Sequence, residues 1–303
     1  SDCLVGSEMC IRDSSYRQAI KIMTDDTAVK HNLLAIPGIR EPKITDYAAS
    51  SVRDYQMAMY VMDIPSFDED GNRLFDHGRP DVEASSDNFE SRVIDNNFCA
   101  TYFPDVFIDD TVNNRAVKVP SSVAALGAIG YNDSKAYPWF APAGFNRGAL
   151  GFVSNVTTRL SVADRDELYD KRINPIANFP DGGFVIFGQK TMQIQPSALD
   201  RVNVRRMLLE VKRQVAAVAN LILFEQHTPA TRKRFEALVS PRLALIQAQA
   251  GIEQFRVICN ETNNSQKDID ENRMNGRILL VPTRAVEFIA IDFIVDSSGV
   301  SFV

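Results

Sequence analysis

The sequence predicts an α/β protein, a mixed sheet flanked by helices in a layered sandwich, that ends in an extended C-terminal β-arm. Three observations carry this. Short runs rich in β-branched residues alternate with stretches whose apolar residues recur at steps of three and four, a β-α-β rhythm that points to a sheet covered by helices. In the longest helical stretch Val204, Leu208, Val211, Val215, Val218 and Ile222 form one apolar stripe, with Arg201, Arg205, Glu210 and Arg213 elsewhere on the wheel. Residues 286–295 are strand formers, and the run continues through Ser297, Ser298 and Gly299 to Val300 and Phe302, more apolar than a frayed terminus. Such a tail needs an edge: either it folds back onto its own sheet, or it adds a strand to a neighbouring molecule.

The elements follow in order. Residues 16–23 read as a short helix, residues 32–36 as a buried strand ended by Pro37 and Gly38, and residues 45–57 as a helix with Ala48, Val52 and Tyr55 on one face. A strand over 59–64 comes next. In residues 65–79 the acids Asp68, Asp70 and Asp76 resemble a calcium loop only superficially. The glycine follows the second acid directly and no glutamate closes the loop, so an Asp-Gly hairpin turn at 70–71 is the reading. A helix over 84–96 has Ser85 or Ser86 as its cap, and a strand over 98–108 is bent by Pro104. A strand at 117–120 leads into a small-residue helix from Ser121, and residues 137–150 are irregular. Residues 161–171 form a helix capped by Ser161 with Asp164 three positions on. The segment 184–192 is a candidate central strand, reached through the turn at Gly182-Gly183. After the long helix, a second one over 229–249 is expected to break near Pro241, and strands at 255–261 and 278–281 precede the arm.

Composition sets the function classes. The 303 residues are 45% hydrophobic and 24% charged, enough for a sizeable core in one large or two medium domains. A net charge of −6 gives no electrostatic footprint for nucleic acid or an anionic membrane. The best apolar run, residues 215–224, is short and broken by Asn220. Residues 1–14 lack the form of a secretory signal and read as a non-native segment, like a translated adaptor. That leaves Cys99 and Cys259, each in a strand-like run and each read as a buried free thiol, with no CxxC and no zinc spacing; a reducing compartment fits.

No catalytic constellation emerges. His31, His77 and His227 sit in unrelated surroundings, there is no GxSxG elbow, and the glycines at 182–183 precede a strand where a phosphate cradle would open a helix. Adjacent acids such as Asp109 and Asp110 read as solvated turns, and no cofactor or metal is implied.

Residues 119–144 (VPSSVAALGAIGYNDSKAYPWFAPAG) resemble the contractile tail sheath protein of tailed bacteriophages, the myophages. The likeness lies in a strand ending at Pro120, a small-residue helix, Asp133, and a tryptophan leading to Ala141-Pro142-Ala143-Gly144. It continues through residues 172–176 (RINPI), Gly182-Gly183, residues 187–191 (FGQKT), residues 202–206 (VNVRR), residues 259–263 (CNETN), Asn275-Gly276, Pro282 and Glu287. Lys190 departs from the family, which commonly has arginine there, and that puts a bidentate role in doubt.

The resemblance implies the C-terminal portion of a sheath subunit and no enzyme. Residues 15–168 would be part of a central α/β domain and residues 169–303 the C-terminal domain, with 286–303 as an inter-subunit arm. Subunits of this kind stack as six-membered rings around a tail tube and contract to drive it through the host envelope. The implied partners are further copies of the chain, the tube protein, and baseplate and terminator proteins, with neither nucleic acid nor membrane; the place is the virion tail, after assembly in the bacterial cytoplasm. The chain as given would begin inside the body, without the N-terminal arm. The expected interface residues are Val286, Phe288, Ile289, Ile291, Phe293, Val295, Val300 and Phe302, with Arg205 and Arg206 as weaker candidates. Two alternatives stand: the sheath of a bacteriocin or type VI secretion apparatus, and, from another class, a cytosolic α/β hydrolase, which a buried serine within reach of a histidine would favour.

Overall fold

The computed structural model describes residues 2–66, 72–76 and 79–287. Helix α1 (Asp2–Met23) runs through the segment expected to be non-native, and its buried Ile20 joins the core. Strand β1 (Leu33–Ala35) leads to α2 (Pro42–Tyr55), where proline at the first turn fits the fixed φ of a helix start, and Ile44, Ala48, Ala49 and Val52 turn inward. Strand β2 (Met59–Asp63) is buried at all five positions, as a strand covered on both faces must be. The two-residue strands β3 (Phe75–Asp76) and β4 (Arg79–Pro80) pair antiparallel, while the turn expected at 70–71 lies outside the described residues.

Helix α3 (Val82–Glu90) starts earlier than expected. Asp81 caps it, its carboxylate accepting from Ala84 N at 3.2 Å, whereas Ser85 and Ser86 are buried within the helix. An acidic cap preceding the first turn outcompetes the serines because it also meets the positive end of the helix dipole. The strand expected over 98–108 splits at a cis Phe103–Pro104 bond into β5 (Cys99–Phe103) and β6 (Val106–Asp110). After β7 (Arg115–Val119), α4 (Ser121–Lys135), the short α5 (Gly144–Arg147) and β8 (Val153–Val156), strands β7, β6 and β8 make a small antiparallel sheet. Buried Asp63, at the end of β2, sits on the N-terminus of α4. It accepts from Ser122 N and Ser122 Oγ (both 2.9 Å), Ser121 Oγ (3.2 Å) and Gly38 N (3.0 Å), which satisfies helix-end donors that would otherwise be orphaned.

Helix α6 (Val162–Asp170) carries the expected Ser161–Asp164 capping box. Strands β9 (Ile173–Phe179) and β10 (Gly183–Ile186) then complete the main sheet, in the order β1-β2-β5-β9-β10. The first four strands are parallel and β10 is antiparallel, so the sheet is mixed. The expected central strand at 184–192 is thus the last strand of the sheet and ends at Ile186; the inner place belongs to β9, whose Asn174 and Pro175 hid it. Pro175 is tolerated because its missing N–H faces the β10 side, where its carbonyl accepts from Phe187 N at 2.8 Å just past Ile186, the residue at which that ladder stops.

A second core begins with α7 (Val202–Ile222) and α8 (Pro229–Ala248), followed by β11 (Ile252–Ile258), α9 (Gln266–Asp270) and β12 (Arg277–Pro282). Val204, Val211, Val218 and Ile222 meet Phe235, Val239, Leu243 and Ile246, and the antiparallel β11–β12 ribbon lays Ile252 against them. Each such side chain is worth about 1.5–3 kcal/mol on burial. Helix α8 does not break at Pro241. Pro241 and Ala237, whose carbonyl loses its intrahelical partner, both lie exposed, so that carbonyl is not buried without a partner. Because β9 and β10 belong to the same sheet as β1, β2 and β5, that sheet crosses the expected 168/169 boundary, and the second core is formed from α7 onward together with Trp139.

Candidate assembly site at the root of the C-terminal arm

The described chain ends at Glu287, and the body grips it there. The grip starts from Asn174 on β9, which is fully buried. Its amide accepts from Lys190 N (2.6 Å) and donates to Lys190 O (2.9 Å) and Thr101 O (3.0 Å), which pins the segment after β10 to the sheet. Gly188 permits this approach, since a Cβ there would stand 3.0 Å from both Asn174 Oδ1 and Pro175 Cδ. The pinned segment aims Gln189, whose Nε2 donates to Glu287 Oε1 at 3.0 Å. From α6 the Tyr169 hydroxyl donates to Glu287 Oε2 at 2.5 Å, and from the start of α7 Arg201 Nε donates to Oε1 at 2.7 Å. Arg201 also pairs with Asp200 at 3.1 Å.

The electrostatics follow the geometry. Burial alone would raise the Glu287 carboxyl, but the hydrogen bonds from Tyr169, Arg201 and Gln189 outweigh it and hold the group below the usual carboxylate range. The Tyr169 phenol is pushed up, by burial first and then by the Glu287 carboxylate that its proton serves. Lys190 places its ammonium 3.7 Å from the Tyr169 ring centroid and donates to Tyr169 O at 2.7 Å. It therefore acts as a point charge that steadies the tyrosine, a job that needs no guanidinium fork. Burial and then Arg201 lower its pKa.

The residues expected at an interface separate into two groups. Val286 is 79% exposed beside the clamped Glu287, whereas Phe288, Ile289, Ile291, Phe293, Val295, Val300 and Phe302 lie outside the described residues. Arg205 and Arg206 are turned into the body, which corrects their reading as interface residues. Arg206 is held bidentate by Asp133 on α4 (2.9 and 2.5 Å), and Arg205 stacks 3.5 Å over Phe98 and donates to Asn97. Burial lowers Arg205 to about 10. Both are buried because the start of α7 packs against the sheet as well as α8, so two faces of that helix are covered there. Sequence reasoning singled out Glu287 and the 187–191 segment by resemblance but missed Tyr169 and Arg201, which carry no motif and meet Glu287 only in the fold.

The signs that would favour hydrolase chemistry are not formed among the described residues. The buried Ser121 and Ser122 hydroxyls bond to Asp63 and Tyr102 O, Ser86 bonds to Glu83 O and Glu167, and His31 stacks on Tyr55. No group of three His, Cys, Asp or Glu among them is placed to hold a metal ion. Cys99 and Cys259 are buried free thiols, as expected. No described helix is long and apolar enough to cross a membrane.

An α/β body with its polar contacts spent on internal fastening and its C-terminal exit clamped has the fold of contractile sheath subunits. The helical sheath of the anti-feeding prophage, solved in the contracted state, superposes with a TM-score of 0.71 at 22% identity, over 93% of this chain and 74% of that one. The sheath complex of an extracellular contractile injection system, also contracted, gives 0.71 over 89% and 72%. The sheath tail protein Lin1278 of Listeria innocua gives 0.56 at 10% identity, over 89% and 60%. No protein-family model matches. In sequence, the chain is homologous to myophage tail sheath proteins: it is 37% identical to that of Vibrio phage KVP40 over 210 residues, 69% of this chain, and 33% identical to that of Enterobacteria phage T4 over 189 residues, 62% of this chain. It spans about 30% of the Vibrio phage relative's length and 28% of the T4 relative's.

Proposed function

We propose that this chain is part of the structural subunit of a contractile phage tail sheath. Subunits polymerise as a helical array of six-membered rings around the tail tube and shorten to drive the tube through the host envelope. The observation that carries this is the 37% identity to a phage tail sheath protein over 69% of the chain. The likeness to injection-system sheaths is one of fold, so the phage assignment rests on the sequence relatives. Residues 286–303 serve as the inter-subunit strand. Backbone hydrogen bonds along such a strand persist while bodies rotate, whereas side-chain contacts between bodies exchange. The β11–β12 ribbon supports a pairing role: among the described residues the two strands pair only with each other, and Leu279 and Val281 are 51% and 46% exposed on its outer face. Tube, baseplate and terminator proteins are the further partners, with assembly in the bacterial cytoplasm.

Negative-stain electron microscopy tests this on the full-length parent protein, intact and truncated after Val295. Ring-stacked tubes from the intact protein that vanish on truncation are the expected result. A shorter deletion of residues 299–303 is expected to leave the fold intact and abolish polymerisation. Monodisperse particles from every form would refute it.

A further inference from the structure

We propose that Glu287 is a latch: a positioning residue that fastens the chain to the α/β body just before residues 288–303. The proposal rests on the reading of those residues as an arm. Its support lies in where the three donors come from. Tyr169 is on α6, Gln189 follows β10, and Arg201 opens α7, at 118, 98 and 86 residues from Glu287. None of them is on the ribbon that delivers Glu287, so the carboxylate ties the end of the second core to the first.

The span before it is poorly held. Thr283 N donates to Gly251 O at 3.3 Å, and Arg284, Ala285 and Val286 that follow are all exposed. Among the described residues, one carboxylate therefore decides whether the chain end is fixed or swings from Thr283. The site is also selective for that anion. Both oxygens accept, from three donors, and Lys190 and Asp200 flank the cluster so that Tyr169 and Arg201 are themselves held in place. A Glu287→Gln change keeps the shape but removes the charge: its oxygen can still accept from Gln189 and Arg201 and its NH2 can donate to the Tyr169 hydroxyl, so the clamp loses its charge-assisted bonds without loss of volume.

Limited trypsin digestion of the dispersed full chain reads the latch. Cleavage after Arg284 requires the 284–287 span to leave its fixed path, and its rate follows the population of that local opening. Cleavage there is expected to rise about tenfold in Glu287→Gln and a fewfold in Tyr169→Phe, which removes one donor. The thermal midpoint and cleavage elsewhere should stay at wild-type values, and the exposed control Val286→Ala should behave as wild type. Wild-type cleavage in Glu287→Gln overturns the proposal. So does acceleration at all sites with a lowered midpoint, because Glu287 would then merely stabilise the body. Since the digestion is done without polymer, it stands or fails independently of whether tubes form.

Discussion

Replacing Asp133 by alanine should cost far more than a surface residue's share. Asp133 is 29% exposed, so its removal opens no core cavity, but its partner Arg206 is only 3% exposed and would be left with Pro138 O at 3.4 Å as its remaining acceptor. Breaking a buried pair by removing one partner costs roughly 3–5 kcal/mol, because the surviving charge is desolvated without compensation. Water reaches the Asp133 side, and alanine gains about 0.5 kcal/mol of helix propensity within α4. A net loss of about 3 kcal/mol is therefore the expected figure. At 2–4 °C per kcal/mol for a chain of this size, the thermal midpoint should fall by about 6–12 °C. The assay is urea unfolding followed by tryptophan fluorescence, with thermal scans beside it. Trp139 reports on the region directly, since its indole N–H donates to Gln249 O at 2.9 Å. Adding Arg206→Met to the alanine variant should recover more than half of the loss by removing the orphaned charge. A loss under about 1 kcal/mol, or no recovery in the double variant, would refute the reasoning, since that is the range of an exposed pair.

Two further outcomes follow from the packing. Gly188→Ala places its Cβ 3.0 Å from Asn174 Oδ1 and Pro175 Cδ, so about 1–3 kcal/mol of overpacking strain is expected in urea unfolding, together with faster trypsin cleavage after Arg284 as Gln189 is displaced. His31 stacks on Tyr55 and its pKa is lowered, by burial and then by Arg213. Its neutral ring is favoured by folding, so its contribution is whole above the unfolded value of 6.5 and declines as pH falls below it, at up to about 1.4 kcal/mol per pH unit. The wild type should therefore lose more stability between pH 7 and 5 than His31→Phe; equal slopes would contradict this.

What could be read from the sequence was what local chemistry decides. Ser161 and Asp164 announce a helix start because the capping box is closed within four residues, and the stripe from Val204 to Ile222 announces an inward face because helical periodicity is local. The misses share a physical origin in neighbours distant along the chain. Strand β9 contains Asn174 and Pro175, poor strand formers by propensity, yet Asn174 is fixed by Thr101 and Lys190 and Pro175 sits where the β10 ladder ends. Pro241 looked like a break, but it and Ala237 lie on an exposed face, where a carbonyl without its helical N–H is not buried. Arg205 and Arg206 fell on the polar side of the wheel, while their burial depends on Phe98 and Asp133, elements that approach only in the fold. The same holds for the Glu287 clamp: its acceptor was visible, and its donors were scattered over three elements.

These long-range contacts share one design that bears on the proposed action. Asp63 ties β2 to α4, Arg206 ties α7 to α4, and Glu287 ties the exit of the ribbon to α6 and α7. Each uses a charge accepting or donating several bonds at once, which resists shear better than apolar contact does, because geometry as well as area must be lost. Under the proposed function, a body fastened in this way is expected to move as a block. Its exposed apolar side chains on the ribbon, Leu279 and Val281, stand outside that fastening and are available to change partners. A sheath that shortens needs both properties, since a soft body would absorb the motion within itself and a body without an exchangeable surface could not slide. Variants that loosen the internal fastening, Asp133→Ala above all, are therefore expected to assemble yet contract incompletely, which the tube-to-sheath length ratio in electron micrographs after triggering would show.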